Sequence, residues 1–239
     1  MLRRPFRRYR GSMNNVKLAR ATVPSDRSAL IEDFCSFVAA PSFPCVGAKS
    51  ALNRHRIEFE VCDGLGSSVC AEVLRDSLTR FSARHPDPGL DPVSFVAIFR
   101  EQVAGEDDFH KRLWMQLQAI HDLDIEEHSW APDVSADPES SDFSFSVASR
   151  AFFVVGLHPR SSRLARRAPR PTLVFNFHGQ FEALRASGRY RKLQVAIRER
   201  DVSLQGNINP VLAQFGEASE ALQYSGRANG GCPFQARSE

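Results

Sequence analysis

At 239 residues, with 42% hydrophobic and 25% charged side chains, the chain is long enough to bury a full core and ordinary enough in composition to form one globular domain. A formal net charge of +3 demands no polyanionic partner, and no apolar run approaches the roughly 20 residues that cross a bilayer, so no membrane-spanning helix is expected. The five cysteines (Cys35, Cys45, Cys62, Cys70 and Cys232) are scattered without a Cys-x-x-Cys pair, which argues against a disulfide framework or zinc ribbon and predicts reduced thiols.

Residues 1–24 are basic and polar without periodicity and read as a disordered leader, with residues 25–239 forming a single domain. The leader has the charge of a signal-peptide n-region but no apolar h-region follows it, so a cytoplasmic protein is expected. From Asp26, Leu30, Phe34, Phe37 and Val38 fall on one helical face, with Ser25 or Asp26 as N-cap and an end near Pro41. Ile57, Phe59 and Val61 alternate with Glu58 and Glu60, the period of a half-buried strand. Three helices are then predicted: one through Val69, Val73, Leu78 and Phe81, one through Val96, Phe99 and Val103, and one through Phe109, Leu113, Leu117 and Ile120. The segment 129–142, rich in Pro, Asp and Ser, reads as a flexible loop.

Phe143, Phe145 and Val147 alternate with serines, predicting a strand with one solvated face. The runs 151–157 and 172–177 are continuously apolar, as strands covered on both faces are, and should form the centre of the sheet. Phe181 and Leu184, then Tyr190, Leu193 and Ile197, predict two helices broken near Gly188; beyond Gln205 the glycines and prolines predict irregular chain. The sum is an α+β fold, a mixed β-sheet flanked by helices.

Gly64-Leu-Gly66 lacks the third glycine of a dinucleotide fingerprint and reads as a tight turn. His55, His85, His110, His121 and His128 share no ligand spacing and are expected at the surface. His158 and His178 differ because each ends an apolar strand, where a side chain is held rigidly enough to serve as an axial metal ligand. If the two strands are parallel the histidines share one edge of the sheet; if antiparallel they lie at opposite edges. Arg160, Arg163, Arg166, Arg167 and Arg170 form either a solvated basic loop or a clamp for carboxylate or phosphate, and lack the interleaved aromatics of a single-strand nucleic-acid site. A nucleic-acid partner is therefore not expected. Cys45 and Cys232 lie in turns, where a free thiol can reach a ligand.

From Phe152 to Phe234 the chain resembles the YqcI/YcgG family, through Phe-Phe-Val-Val-Gly-Leu-His158-Pro-Arg-Ser-Ser-Arg163, Pro-Thr-Leu-Val-Phe-Asn176-Phe-His178-Gly-Gln180-Phe-Glu182, Arg-Glu-Arg200-Asp201, Leu-Gln205-Gly-Asn-Ile-Asn-Pro210, Phe-Gly-Glu217-Ala-Ser-Glu220, Gln223-Tyr224-Ser-Gly226 and Cys232-Pro-Phe234. It departs from that pattern at Gln214, where an acidic residue is usual, and at Leu222, where an arginine is usual. The resemblance implies a haem-dependent oxygenase that hydroxylates a guanidine nitrogen of arginine or a related guanidine or amine, using O2 and an unidentified electron donor. It implies haem b held by His158, with His178, Cys45 and Cys232 as rival ligands and Arg160, Arg163 and Arg167 available to its propionates. The guanidinium would be received by Glu217 first, or by Glu220 or Glu182. A haem or anion carrier without turnover is the alternative, and a nucleic-acid-binding module using the leader and the 160–170 arginines ranks below it.

Overall fold

The computed structural model of the protein describes residues 26–208, 218–227 and 232–236. The leader, Gln214 and Glu217 lie outside the described residues. The elements run α1 (Asp26–Ala39), α2 (Val46–Asn53), β1 (Ile57–Cys62), α3 (Ser68–Arg84), β2 (Ser94–Phe99), α4 (Glu106–Asp124), β3 (Phe145–Val147), β4 (Arg150–Leu157), β5 (Thr172–Phe177), α5 (His178–Ala186), α6 (Arg189–Gln205) and α7 (Ala221–Tyr224). The strands form one five-stranded sheet in the order β1-β2-β5-β4-β3. β1 and β2 are parallel, joined through α3, and the other pairs are antiparallel. The mixed sheet flanked by helices is the α+β fold expected from the sequence.

Each strand offers its alternate residues to opposite faces, and the two faces are filled differently. On one side α3 and α4 bury an aromatic core in which the Phe81 and Phe177 rings stack at 4.8 Å and Trp114 lies over Tyr224 at 5.7 Å. On the other side, α1 and α2 cover Val96, Ile98 and Leu157 with Leu30, Phe34, Val38 and Phe43. β1 shows the division within one strand: Phe59 meets Phe34 of α1, while Glu58 faces α3, where Arg84 and His85 hold it.

The segment with Val96 and Phe99 is a strand rather than a helix. All six residues of β2 are buried because it is a central strand covered on both faces, and its apolar spacing coincides with a helical one. The segment around Phe145 likewise has no solvated side: Ser144 and Ser146 are buried, and the Ser146 hydroxyl accepts the Ala131 N–H at 2.9 Å. That bond ties down the segment 129–142, where Trp130 packs against Phe143, Phe145 and Phe234, so the loop is anchored to the core. β3 and β4 are joined by Ala148 and Ser149, both in the left-handed region at φ 53° and 55°. The hairpin twist favours that conformation, and both Asp124 carboxylate oxygens accept the Ala148 N–H, at 3.1 and 3.0 Å.

α2 was not evident from apolar periodicity; it opens on Cys45, whose sulfur accepts the Ala48 N–H at 3.4 Å as the helix N-cap. Among the histidines expected at the surface, His110 and His121 are buried on α4. The His110 ring lies 2.8 Å from the Ser225 hydroxyl, and His121 packs on Trp130 and Phe234. Gly66 makes the tight turn, at φ 89° with its N–H bonded to Gln116. No helix among the described residues is long and apolar enough to cross a membrane.

Candidate functional site

A cavity of about 350 Å³ opens on the α1/α2 face of the sheet, a size ordinary for a small-molecule site. Its floor comes from three strands through register: Ser94, Asn176 and Phe153 are aligned across β2, β5 and β4, with Val96, Val174 and Val155 in the next row. The floor is apolar except at one end, where the Ser94 hydroxyl donates to Asn176 Oδ1 at 2.7 Å and Asn176 Nδ2 donates to the Phe153 carbonyl at 3.3 Å. One wall is α6, whose Tyr190, Leu193, Gln194, Ile197, Arg198 and Asp201 recur at helical spacing along a single face. Cys45 at the start of α2, Glu220 at the start of α7 and Gln223 within α7 complete the wall. Gln180 borders the same space and fixes the preceding loop, accepting the Val93 N–H and donating to the Asp91 carbonyl at 2.7 Å.

The charged groups on this lining are mostly committed to each other. Arg163 donates to Asp201 and to the Asn207 side chain and carbonyl. Arg166 is buried and its guanidinium is spent on three backbone carbonyls, Gly156 at 3.1 Å, Tyr224 at 3.0 Å and Gln223 at 2.8 Å. Burial, reinforced by the neighbouring Arg163 charge, lowers its pKa to about 10. Arg185 pairs with Glu182 and lies over the Tyr190 ring. Glu220 is different. It is only 4% exposed, and its neighbours among the described residues are not arginines: His178 Nδ1 lies 3.5 Å from Oε1, and the Tyr224 hydroxyl lies 3.5 Å from Oε2. That hydroxyl is itself anchored, accepting the Phe145 N–H at 3.0 Å and donating to the Phe152 carbonyl at 3.2 Å. Burial and the adjacent Glu220 carboxylate hold the phenol well above its ordinary pKa, so it remains protonated.

The antiparallel pairing of β4 and β5 puts His158 and His178 at opposite edges of the sheet. His158 is 1% exposed, points to the α4 side and stacks on Phe109 with 4.4 Å between ring centres. Burial lowers its pKa to about 4, opposed by Glu106 and assisted by Arg166. His178 opens α5 between Glu220 and Glu182, the latter 3.6 Å from Nε2. Neither histidine borders the cavity. Arg160 and Arg167 are exposed, with Arg167 bonded to the Ser161 carbonyl, so the arginine run divides into two buried structural members, Arg163 and Arg166, and outward-facing ones. Cys45 borders the cavity, and burial raises its thiol pKa against the Ala48 and Gly47 N–H groups. Cys232 packs instead on the aromatic core, its pKa pushed up to about 11 by burial. Glu182 lies outside the cavity lining, paired to Arg185. Among the described residues no group of three or more His, Cys, Asp and Glu side chains could hold a metal ion; a haem iron would need fewer protein ligands than that.

Gln194 was not singled out by sequence reasoning, and Arg198 and Asp201 entered it only within the run Arg-Glu-Arg200-Asp201, without a role. Their signal was available, since they share the face of α6 marked by Tyr190, Leu193 and Ile197. Polar residues there look like a solvated helix surface until the cavity beneath is known.

Fold and lining together define an α+β protein with a cavity of small-molecule size on one face of a mixed sheet. The chain belongs to the YqcI/YcgG family, whose sequence pattern matches residues 34–235. It is 27% identical over 212 residues to the Streptomyces lavendulae protein provisionally named N(omega)-hydroxy-L-arginine synthase DcsA, a match covering 81% of this chain and 76% of that one. No solved structure matches the chain.

Proposed function

We propose that the chain is an enzyme that hydroxylates a guanidine nitrogen of arginine or a related compound held in this cavity. The observation that carries the reading is Glu220, a buried carboxylate on the cavity wall with no arginine partner among the described residues. The name of the Streptomyces relative supplies the reaction class. A guanidinium is planar and presents paired N–H donors that a carboxylate accepts two at a time. His178 Nδ1 and the Tyr224 hydroxyl each lie 3.5 Å from one of its oxygens, and this packing restricts the orientations the carboxylate can present to the substrate. The apolar floor excludes water from the remaining guanidine nitrogen. One atom of O2 enters the new N–O bond and the other leaves as water, consuming two electrons from an external donor and two protons.

Haem is the group that the family resemblance implies for activating O2. The described side chains do not fit an iron in this cavity: both histidines stand off its wall, and burial keeps Cys45 as a thiol where ligation needs the thiolate.

Calorimetric titration with L-arginine tests the reading. Glu220→Gln keeps the shape and removes the charge, and is expected to weaken binding roughly 10- to 100-fold, the worth of hydrogen bonds to a charged group. Mass spectrometry of the product should show arginine plus one oxygen atom when reductant and air are supplied. Unchanged arginine affinity in Glu220→Gln would sink the proposal.

A further inference from the structure

Four arginines and two carboxylates line the cavity, so its wall carries an excess of positive charge. Three of the four are already satisfied: Arg163 by Asp201 and Asn207, Arg166 by backbone carbonyls, and Arg185 by Glu182 and the Tyr190 ring. Arg198 is not. Its Nε is shut off from water without a hydrogen-bond partner, and no ion pair among the described residues reaches its guanidinium. The carboxylate one turn along the same helix, Asp201, is held by Arg163 and is not available to it. An unpaired cation at a partly desolvated position is costly, and it is retained in binding sites where a ligand anion completes it.

Resting on the reading of this cavity as a guanidine site, we propose that Arg198 receives the α-carboxylate of the substrate, so that the protein selects a guanidino amino acid over a free guanidine. Glu220 stands beside α7 and Arg198 on α6, so the two ends of an arginine molecule meet opposite charges on different walls of one cavity. The planar fork of Arg198 suits a carboxylate in two-pronged contact, and Gln194 one turn away on the same face adds a neutral polar group. The floor of the same cavity is apolar apart from the Ser94–Asn176 pair, which suits the aliphatic stem. The same fork could hold a propionate of haem, and the test separates the two sources.

Wild type, Arg198→Gln and Arg198→Lys are titrated calorimetrically with L-arginine and with agmatine, which is arginine without its carboxylate. Wild type is expected to prefer L-arginine by about tenfold or more, the worth of one charge-assisted contact. Arg198→Gln should bring the two affinities together, with agmatine binding unchanged, and Arg198→Lys should restore part of the preference. Because the guanidinium has no partner to lose among the described residues, Arg198→Gln should melt at or above the wild-type temperature. A preference that survives Arg198→Gln, or none in wild type, overturns the inference, while a Glu220-dependent affinity for agmatine leaves the guanidine reading standing. If wild type binds neither compound, both readings fall. A haemin titration followed by absorbance supplies the remaining arm: binding lost in Arg198→Gln with the arginine preference intact would assign the fork to a propionate and overturn the substrate assignment.

Discussion

The two faces of the sheet are built from the same strands and reach different ends. Against α3 and α4, phenylalanines, Trp114 and Tyr224 pack into one aromatic core, within which His110 and the Tyr224 hydroxyl find partners. Against α1, α2 and α6, the floor is smaller side chains, valines and Asn176, and the facing stripe of α6 is only half-buried because it borders open volume. Large aromatics fill one side; on the other, the row of Val96, Val155 and Val174 beneath α6 leaves room for a ligand although Phe34, Phe43 and Phe153 border it.

That division is open to attack where its effect is largest. Phe81→Ala empties the stacked centre of the filled face and should cost about 3–5 kcal/mol in urea unfolding. An equal loss for Val174→Ala on the cavity floor would break the distinction. The next largest effect comes from pH. Unfolded histidine takes up a proton near pH 6.5, whereas folded His158 resists until about pH 4, so acidification across that window favours the unfolded chain. The full loss is about 3 kcal/mol, levelling off below the lower value. Urea unfolding at pH 7 and pH 4.5 should show this destabilisation shrinking in His158→Gln.

One position couples the faces. A Cβ at Gly156 would lie 2.7 Å from the Phe109 ring and 2.8 Å from both Leu113 and the Tyr224 carbonyl. Gly156→Ala should therefore cost about 1–3 kcal/mol by overpacking. It should also weaken arginine binding by displacing the segment that carries Glu220; loss of stability with full arginine affinity would show the faces to be independent. The smallest expected effect is none: with haemin added, His158→Ala should leave any Soret absorbance unchanged, since that ring is turned to the filled face. Loss of the band would return His158 to the role of ligand.

Much of this architecture was legible. α1, β1, α3, α4, β4 and β5 declare themselves through apolar spacing, because each meets the core on a regular stripe. β2 misled because three apolar residues at near-helical intervals cannot be told from a doubly covered strand without its neighbours. Glu220 was legible through the run that contains it, but its distinction from Glu182 lies in burial and partners, which only the packed chain decides. Arg198 too lay within a matched run and on the α6 face, but its lack of a partner among the described residues is not a property of local sequence.

The hold of Arg166 on Gln223 and Tyr224 also bears on the order in which the protein assembles and comes apart. α7 is four residues long, far too short to persist alone, and 58 residues separate Arg166 from Tyr224. Glu220 therefore reaches the cavity only after β4 and the turn at 164–166 exist to receive it. Such late-docking segments are also the first to open. In mild denaturant the guanidinium acceptor should leave while the sheet is still intact, so loss of arginine binding should precede loss of fold.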